Sequence, residues 1–237
     1  MQKIKSLIFN IYFILSSSFS AIFGLIFLLG SRKFAFNAPK LWGRLNSWGA
    51  RHILGLDYRV EGLDNMPDGP CIIASKHQSA WETYSFCTIF PEAVFIAKRE
   101  LLYIPFFNFH FMKMRTIMLN RKLGSKAKAD MVRQAKERIA EGSRIIIYPE
   151  GTRKGFADAP KYRQGIGAMY TELNVPVVPV ALNSGAFWPR RGFEKKNGVI
   201  TVSILPPIQP GLSHDVFMKT LESRIEEKMD DLRKVSA

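Results

Sequence analysis

Little in this sequence would build a disulfide scaffold, a metal centre or a serine-hydrolase triad. Only two cysteines occur in 237 residues, Cys71 and Cys87, in neither metal-ligand nor redox spacing. A disulfide framework and a zinc site are therefore unsupported, and a reducing compartment fits. No G-x-S-x-G elbow surrounds Ser79, which removes the serine-nucleophile reading. Internal repeats and low-complexity linkers are absent, so the length suits one full-sized core with an N-terminal appendage. Acidic residues are scarce: 20 Asp and Glu against 34 Lys and Arg leave a net charge of +14. That charge attracts polyanions, whether nucleic acid, anionic lipid or phosphorylated ligands. Nucleic acid is the weakest of the three, because no helix-turn-helix, zinc or RRM signature occurs and the aromatics crowd the first half.

What the sequence does have at its start is grease. The run from Leu7 to Leu29, "LIFNIYFILSSSFSAIFGLIFLL", reaches the roughly 20 residues that a bilayer-spanning helix needs. Asn10 and the Ser16-Ser17-Ser18 cluster weaken a span, and Lys3 and Lys5 before it and Arg32 and Lys33 after it leave no orientation signal. Insertion into one leaflet without crossing is the preferred reading. A cleaved signal peptide competes, but would leave "IFGLIFLL" as an exposed mature end. The following "PKLWGRLNSWGARHIL" sets Leu41, Leu45, Trp48 and His52 at helical spacing with Trp42, Lys40, Arg44 and Arg51 alongside. Either an interfacial helix or a core-packed amphipathic helix has this pattern. Residues 1–55 are thus expected to form a membrane-associated helical segment, and residues 56–237 the main domain.

Beyond it, short β-branched runs ("CIIAS", "VFIAK", "TIML", "RIIIY", "VPVVPVAL", "VITVSIL") alternate with helical patterns, the clearest over 125–140 and the last over about 214–233. An α/β fold follows, with a mostly parallel sheet covered by helices.

In "SKHQSAWETY", His77 and Glu82 would stand about 140° apart on one continuous helix. They meet if His77 occupies the turn after a strand and Glu82 the first turn of the next helix, where open α/β sheets place their sites. The imidazole would then serve as general base, with the carboxylate fixing its tautomer. Glu82 also fits a capping box with Ser79 as N-cap, which needs no catalysis. A second cluster, "YPEGTRKG", follows a strand and presents Arg153 and backbone donors suited to phosphate. A third, "FIAKRELLYIPFFN", sets Lys98 and Arg99 beside an apolar patch, which suits an amphiphile with an anionic head. Cys87, His110 and His214 read as structural.

Taken together and in order, these segments resemble the motifs of the glycerolipid acyltransferase family. The family's His-x4-Asp is similar to "HQSAWE", with Glu82 in place of Asp; its second motif is similar to "KRELLYIPFF"; its Glu-Gly-Thr-Arg matches Glu150 to Arg153; its apolar Val-Pro run matches Val175 to Val180. The resemblance implies that His77 and Glu82 are catalytic, that Lys98, Arg153 and more weakly Arg99 hold a phosphate, and that Glu150, Gly151 and Thr152 shape the turn or touch substrate. It implies no metal and no cofactor beyond the acyl donor, acyl-CoA or acyl carrier protein. The expected partners are membrane phospholipid and, as acceptor, lysophosphatidate acylated at its 2-hydroxyl, or else glycerol 3-phosphate or another lysolipid. The expected place is the cytoplasmic face of the inner membrane, without nucleic acid. Between Lys98 and Arg163 sixteen Lys and Arg face six Asp and Glu, so the half assigned to the anionic head is the basic half.

Overall fold

Strands flanked by helices on both faces have no polar side to show, and the sheet is built from such runs: Ile72–Ser75, Ile145–Ile147 and Val177–Leu182 are buried at every position. In the computed structural model, which describes residues 1–120, 123–158 and 161–236, the chain order is α1 (Gln2–Phe23), α2 (Arg32–Ala35), α3 (Asn37–Gly49), β1 (Leu56–Glu61), β2 (Ile72–Ser75), α4 (Trp81–Ile89), β3 (Val94–Lys98), α5 (Phe107–Lys113), β4 (Ile117–Leu119), α6 (Ser125–Ala140), β5 (Ile145–Ile147), α7 (Gly165–Leu173), β6 (Val177–Leu182), α8 (Ser184–Phe187), β7 (Gly198–Ile204) and α9 (His214–Ser236). The sheet has seven strands in the order β1-β7-β6-β2-β5-β3-β4. All pairs are parallel except β6 with β7. The expected mostly parallel sheet covered by helices is what the chain forms.

Six of the seven strands lie on the runs read from sequence. The seventh, β1, is an edge strand of sequence LDYRVE that is buried only at its first residue. Its polar composition hides it from a search for apolar runs.

At the centre of the sheet, β2 is flanked by β6 and β5, and β5 by β3. These four strands are mutually parallel, so the segments leaving their C-terminal ends emerge along one edge of the sheet. Ser184 follows β6, His77 follows β2, Glu150 to Arg153 follow β5, and Lys98 ends β3.

The N-terminal run is a continuous 22-residue helix, extended to Leu29 by a 3₁₀ segment, and by length and composition it could cross a membrane. Far from breaking the helix, the serine cluster fastens it to the body. Ser16 donates to Asn46 (2.8 Å) and Ser17 accepts from the Trp42 indole (2.8 Å). Tyr12 donates to the Leu45 carbonyl (2.8 Å), and Ser6 accepts from the Lys195 N–H (2.9 Å). Phe9 is fully buried and meets Trp188 edge-on at 5.4 Å. The opposite face carries Ile4, Ile8, Ile11, Leu15, Phe19 and Ile22, each at least 44% exposed, as one apolar stripe at three- and four-residue spacing.

Against α1 and α4, α3 packs closely enough that a Cβ on Gly43 would stand 2.6 Å from the Tyr84 carbonyl oxygen. The Gly43→Ala variant should therefore lose about 1–3 kcal/mol, even though alanine is the better helix former. Thermal or denaturant unfolding checks this. Unchanged stability would mean that the two helices are free to separate.

Candidate active site

His77 stands in the loop between β2 and α4, and Glu82 in the first turn of α4. That offset brings the two side chains together despite the five-residue spacing: His77 Nδ1 lies 3.2 Å from Glu82 Oε2. The carboxylate has no exposed surface, while the imidazole keeps 13% of its own. With Nδ1–H donating to Glu82, the Nε2 lone pair remains for chemistry.

The expected capping box forms only in half, because the N-cap is Ala80 and not Ser79. The Ser79 N–H donates to the carboxylate (3.0 Å), and Ser79 Oγ accepts from the Trp81 N–H (3.1 Å). The helix itself starts at Trp81, two residues after the serine. Ser184, at the start of α8, also donates its hydroxyl to Glu82. One carboxylate thus gathers an imidazole, a backbone N–H and a hydroxyl from another strand end. Each bond to the charged form is of the stronger, charge-assisted kind.

The His77 ring is further held flat against Tyr148, with centroids 3.9 Å apart and planes 13° apart. Burial pushes the Tyr148 hydroxyl well above its ordinary value, the Glu82 charge adds to that, and Arg153 opposes it. Tyr148 therefore stays a neutral platform.

Behind the ring lies a fully buried lysine. Lys76 Nζ is 2.8 Å from Glu150 Oε1 and 2.8 Å from Glu226 Oε1 of α9, and Tyr162 donates to the same Glu226 oxygen (3.0 Å). The other Glu150 oxygen accepts from the His77 backbone N–H (3.1 Å). Lys154 N–H donates to the His77 carbonyl (2.8 Å), so the loops after β2 and β5 are stitched twice. Burial raises the Glu150 carboxyl to about 7, against the pull of Lys76 and the His77 N–H. Glu150 therefore belongs to the scaffold of the turn. Gly151, at φ 67°, serves the same turn: a Cβ there would stand 2.6 Å from Arg163 Nε, and Arg163 Nε donates to the Glu150 carbonyl (3.3 Å).

His77 opens on a cavity of about 1040 Å³. Its walls are apolar, with Phe36, Leu101, Phe107, Phe111, Met131 and Ile166 among the lining residues. Lys98, Thr152 and Arg153 also line it, whereas Arg99 is exposed and lies outside the lining. Cys87 reaches the cavity wall, and burial pushes its thiol up to about 12, so it is no thiolate. His110 is buried with Nε2 donating to the Ala21 carbonyl (2.9 Å), a structural bond between α5 and α1.

Sequence reasoning passed over Lys76, Tyr148 and Ser184. For Ser184 a signal existed, since it stands two residues after the apolar run that becomes β6. For Lys76, one residue before the histidine, the sequence offered a charge where the structure has a core.

The sequence profile of the family described as Acyltransferase matches residues 57–183. A 1-acyl-sn-glycerol-3-phosphate acyltransferase of Pseudomonas aeruginosa is 35% identical over 218 residues, 87% of this chain and 81% of that protein. A chloroplast protein of the same name from Arabidopsis thaliana is 27% identical, over 96% of this chain and 66% of that protein. Among solved structures, the 1-acyl-sn-glycerophosphate acyltransferase PlsC of Thermotoga maritima superposes with a TM-score of 0.82 over 98% of both chains, at 24% identity.

Removing Lys76 should show how far the site depends on its buried ion pair. Lys76→Met leaves Glu150 buried without its cation and should cost about 3–5 kcal/mol. The cost should grow with pH. The Glu150 carboxyl is raised from 4.5 to about 7 in the fold, so its contribution to stability is complete below the ordinary carboxylate range and fades as pH rises through about 7. Without Lys76 the charged form is worse off still. Denaturant unfolding at pH 5 and pH 8 should show the larger deficit at pH 8, and an equal deficit at both would contradict the assignment.

Proposed function

The chain belongs to the acyltransferase family, as its four motifs lead one to expect, and from that premise we propose that it acylates the 2-hydroxyl of 1-acyl-glycerol-3-phosphate to give phosphatidate for phospholipid synthesis. The donor is a thioester, acyl-CoA or acyl carrier protein. One observation carries the proposal: an imidazole braced by a buried carboxylate faces a large apolar cavity rimmed by Lys98 and Arg153. Such a cavity suits acyl chains, and its cations suit a phosphate.

In this reading, His77 Nε2 takes the proton of the 2-hydroxyl as that oxygen attacks the thioester carbonyl carbon. Glu82 stabilises the imidazolium that forms. The tetrahedral intermediate collapses with cleavage of the C–S bond, and the departing thiolate takes the proton back from the imidazolium. The ester, a free thiol and neutral His77 remain, with no acyl-enzyme and no further cofactor. The Lys98 ammonium and the Arg153 guanidinium line the cavity and make no hydrogen bond or ion pair with the described residues, so both are available to the lysophosphatidate phosphate. Arg99, outside the cavity, is left as a contributor to the surrounding field alone.

The apolar stripe on α1 is the membrane contact of this reading. Because α1 is docked from Ser6 to Ser17 and is about 33 Å long, a bilayer crossing would carry the body of the protein into the hydrocarbon. Partial insertion in one leaflet, on the cytoplasmic face of the inner membrane where the donors reside, meets the same apolar demand without that cost. Deleting residues 1–33 would remove Phe9 from the core as well, so the stripe itself is the better target. Replacing Ile4, Ile8 and Ile11 by serine should release the protein from vesicles with little change in melting temperature. Retention on vesicles would show that α1 is not the anchor.

The reaction is tested by thiol release from acyl-CoA or acyl carrier protein, which should require lysophosphatidate and yield phosphatidate. Release that responds equally to glycerol 3-phosphate or a zwitterionic lysolipid would refute the acceptor. His77→Ala should lower kcat by about 10²-fold or more with the fold intact. Arg153→Ala and Lys98→Ala should each weaken lysophosphatidate binding by about 1.5–3 kcal/mol, read as a rise in its KM with the donor KM steady.

A further inference from the structure

Three cations at the cavity take no part in the assignment above: Lys128 on α6, and Arg190 and Arg191, which are neighbours on one turn. Arg190 and Arg191 line the same cavity as His77. Both are exposed, and neither guanidinium has a hydrogen bond or ion pair among the described residues. They occupy the middle of a four-residue turn closed by the Gly192 N–H donating to the Pro189 carbonyl (3.0 Å). Arg191 sits at φ 61°, the third position of the turn, where this conformation favours glycine because a Cβ is crowded there. Glycine stands one residue later. A merely solvated charge would gain nothing from this crowded position, whereas a side chain aimed into a cavity would.

The turn is also well anchored. Trp188, just before it, is buried against Phe9 and Phe13, and its N–H donates to the Ser184 carbonyl (2.8 Å). Ser184 in turn donates its hydroxyl to Glu82. A short run of contacts thus joins the arginine turn to the carboxylate that braces His77.

Strand order sets the two cation groups apart. In the sequence of neighbours β6-β2-β5-β3, the arginine turn lies beyond β6, His77 follows β2, Arg153 follows β5 and Lys98 ends β3. The two cation groups thus come from opposite sides of β2 in the strand order, and the base follows β2 itself. Transfer from a thioester to a lysolipid brings two phosphate-bearing molecules to one base, the hydroxyl from one side and the carbonyl from the other. Resting on the proposed acyl transfer, we propose that Arg190 and Arg191 form a second anion subsite, which takes the phosphate of the donor's phosphopantetheine arm. That phosphate is common to acyl-CoA and acyl carrier protein.

The test compares S-palmitoyl-4′-phosphopantetheine with S-palmitoyl-pantetheine as donors, using the full chain in mixed micelles with lysophosphatidate. The wild-type protein should favour the phosphorylated thioester by about tenfold in kcat/KM, and Arg190→Gln with Arg191→Gln should bring the two within about twofold while the lysophosphatidate KM holds. Arg190→Lys with Arg191→Lys should restore part of the preference. An unaltered preference in the double glutamine variant, or none in the wild type, overturns the subsite. So does a rise in lysophosphatidate KM instead, which would give these arginines to the acceptor, or a loss confined to binding of anionic vesicles, which would give them to lipid headgroups. If neither thioester is consumed, the proposed acyl transfer itself has failed. The subsite is then judged by titrating CoA onto the same protein: affinity about tenfold weaker in the double glutamine variant supports it, and equal affinity refutes it.

Discussion

A lysine without access to water holds this site in register. Lys76 is drawn by Glu150 from the loop after β5 and by Glu226 from α9, and a buried cation of this kind persists only when its partners are in place. Because Glu150 spends its second oxygen on the His77 N–H, the pair sets the backbone path of the histidine loop as well as neutralising a charge. The position of the imidazole against Glu82 and Tyr148 depends on that path. Such an arrangement is costly to desolvate and stabilises little against an apolar substitute. What it supplies is specificity: the loops after β2 and β5 have one mutual geometry that gives Lys76 both its carboxylates and the His77 N–H its acceptor.

Much of this architecture was legible because strands buried on both faces must be apolar throughout, and such runs announce themselves. The edge strand β1, wet on one side, did not. The contrast continues in the site. His77, Glu82, Lys98 and Arg153 lie in short local patterns whose chemistry can be read residue by residue. Lys76, Tyr148 and Ser184 gain their roles from which strands become neighbours, and β6, β2 and β5 are far apart in sequence. Nothing local in "SKHQ" says that its lysine will meet a glutamate 74 positions later (150 minus 76). The serines of α1 were readable as polar residues but not as interhelical bonds, since the partner helix had to be known first.

Glu82 shows how two readings of one residue can both hold, the capping one in its carboxylate half. A capping carboxylate needs a backbone N–H, an orienting carboxylate needs an imidazole, and two oxygens serve both at once. Helix start and base orientation are therefore not independent here: whatever frays the first turn of α4 also releases the histidine.

The packing of α1 has a consequence for how the protein is made. Phe9 meets Trp188, and 179 residues (188 minus 9) separate them in the sequence. At ribosomal rates of about 5–20 residues per second, the first waits roughly 10–40 s for the second to be synthesised. During that interval both its isoleucine stripe and its Phe9 side lack protein to cover them. A lipid surface is the solvent in which such a helix can rest without aggregating. The segment proposed to place the finished enzyme at the bilayer would then need that bilayer earlier still, as a chaperone for its own unfinished fold.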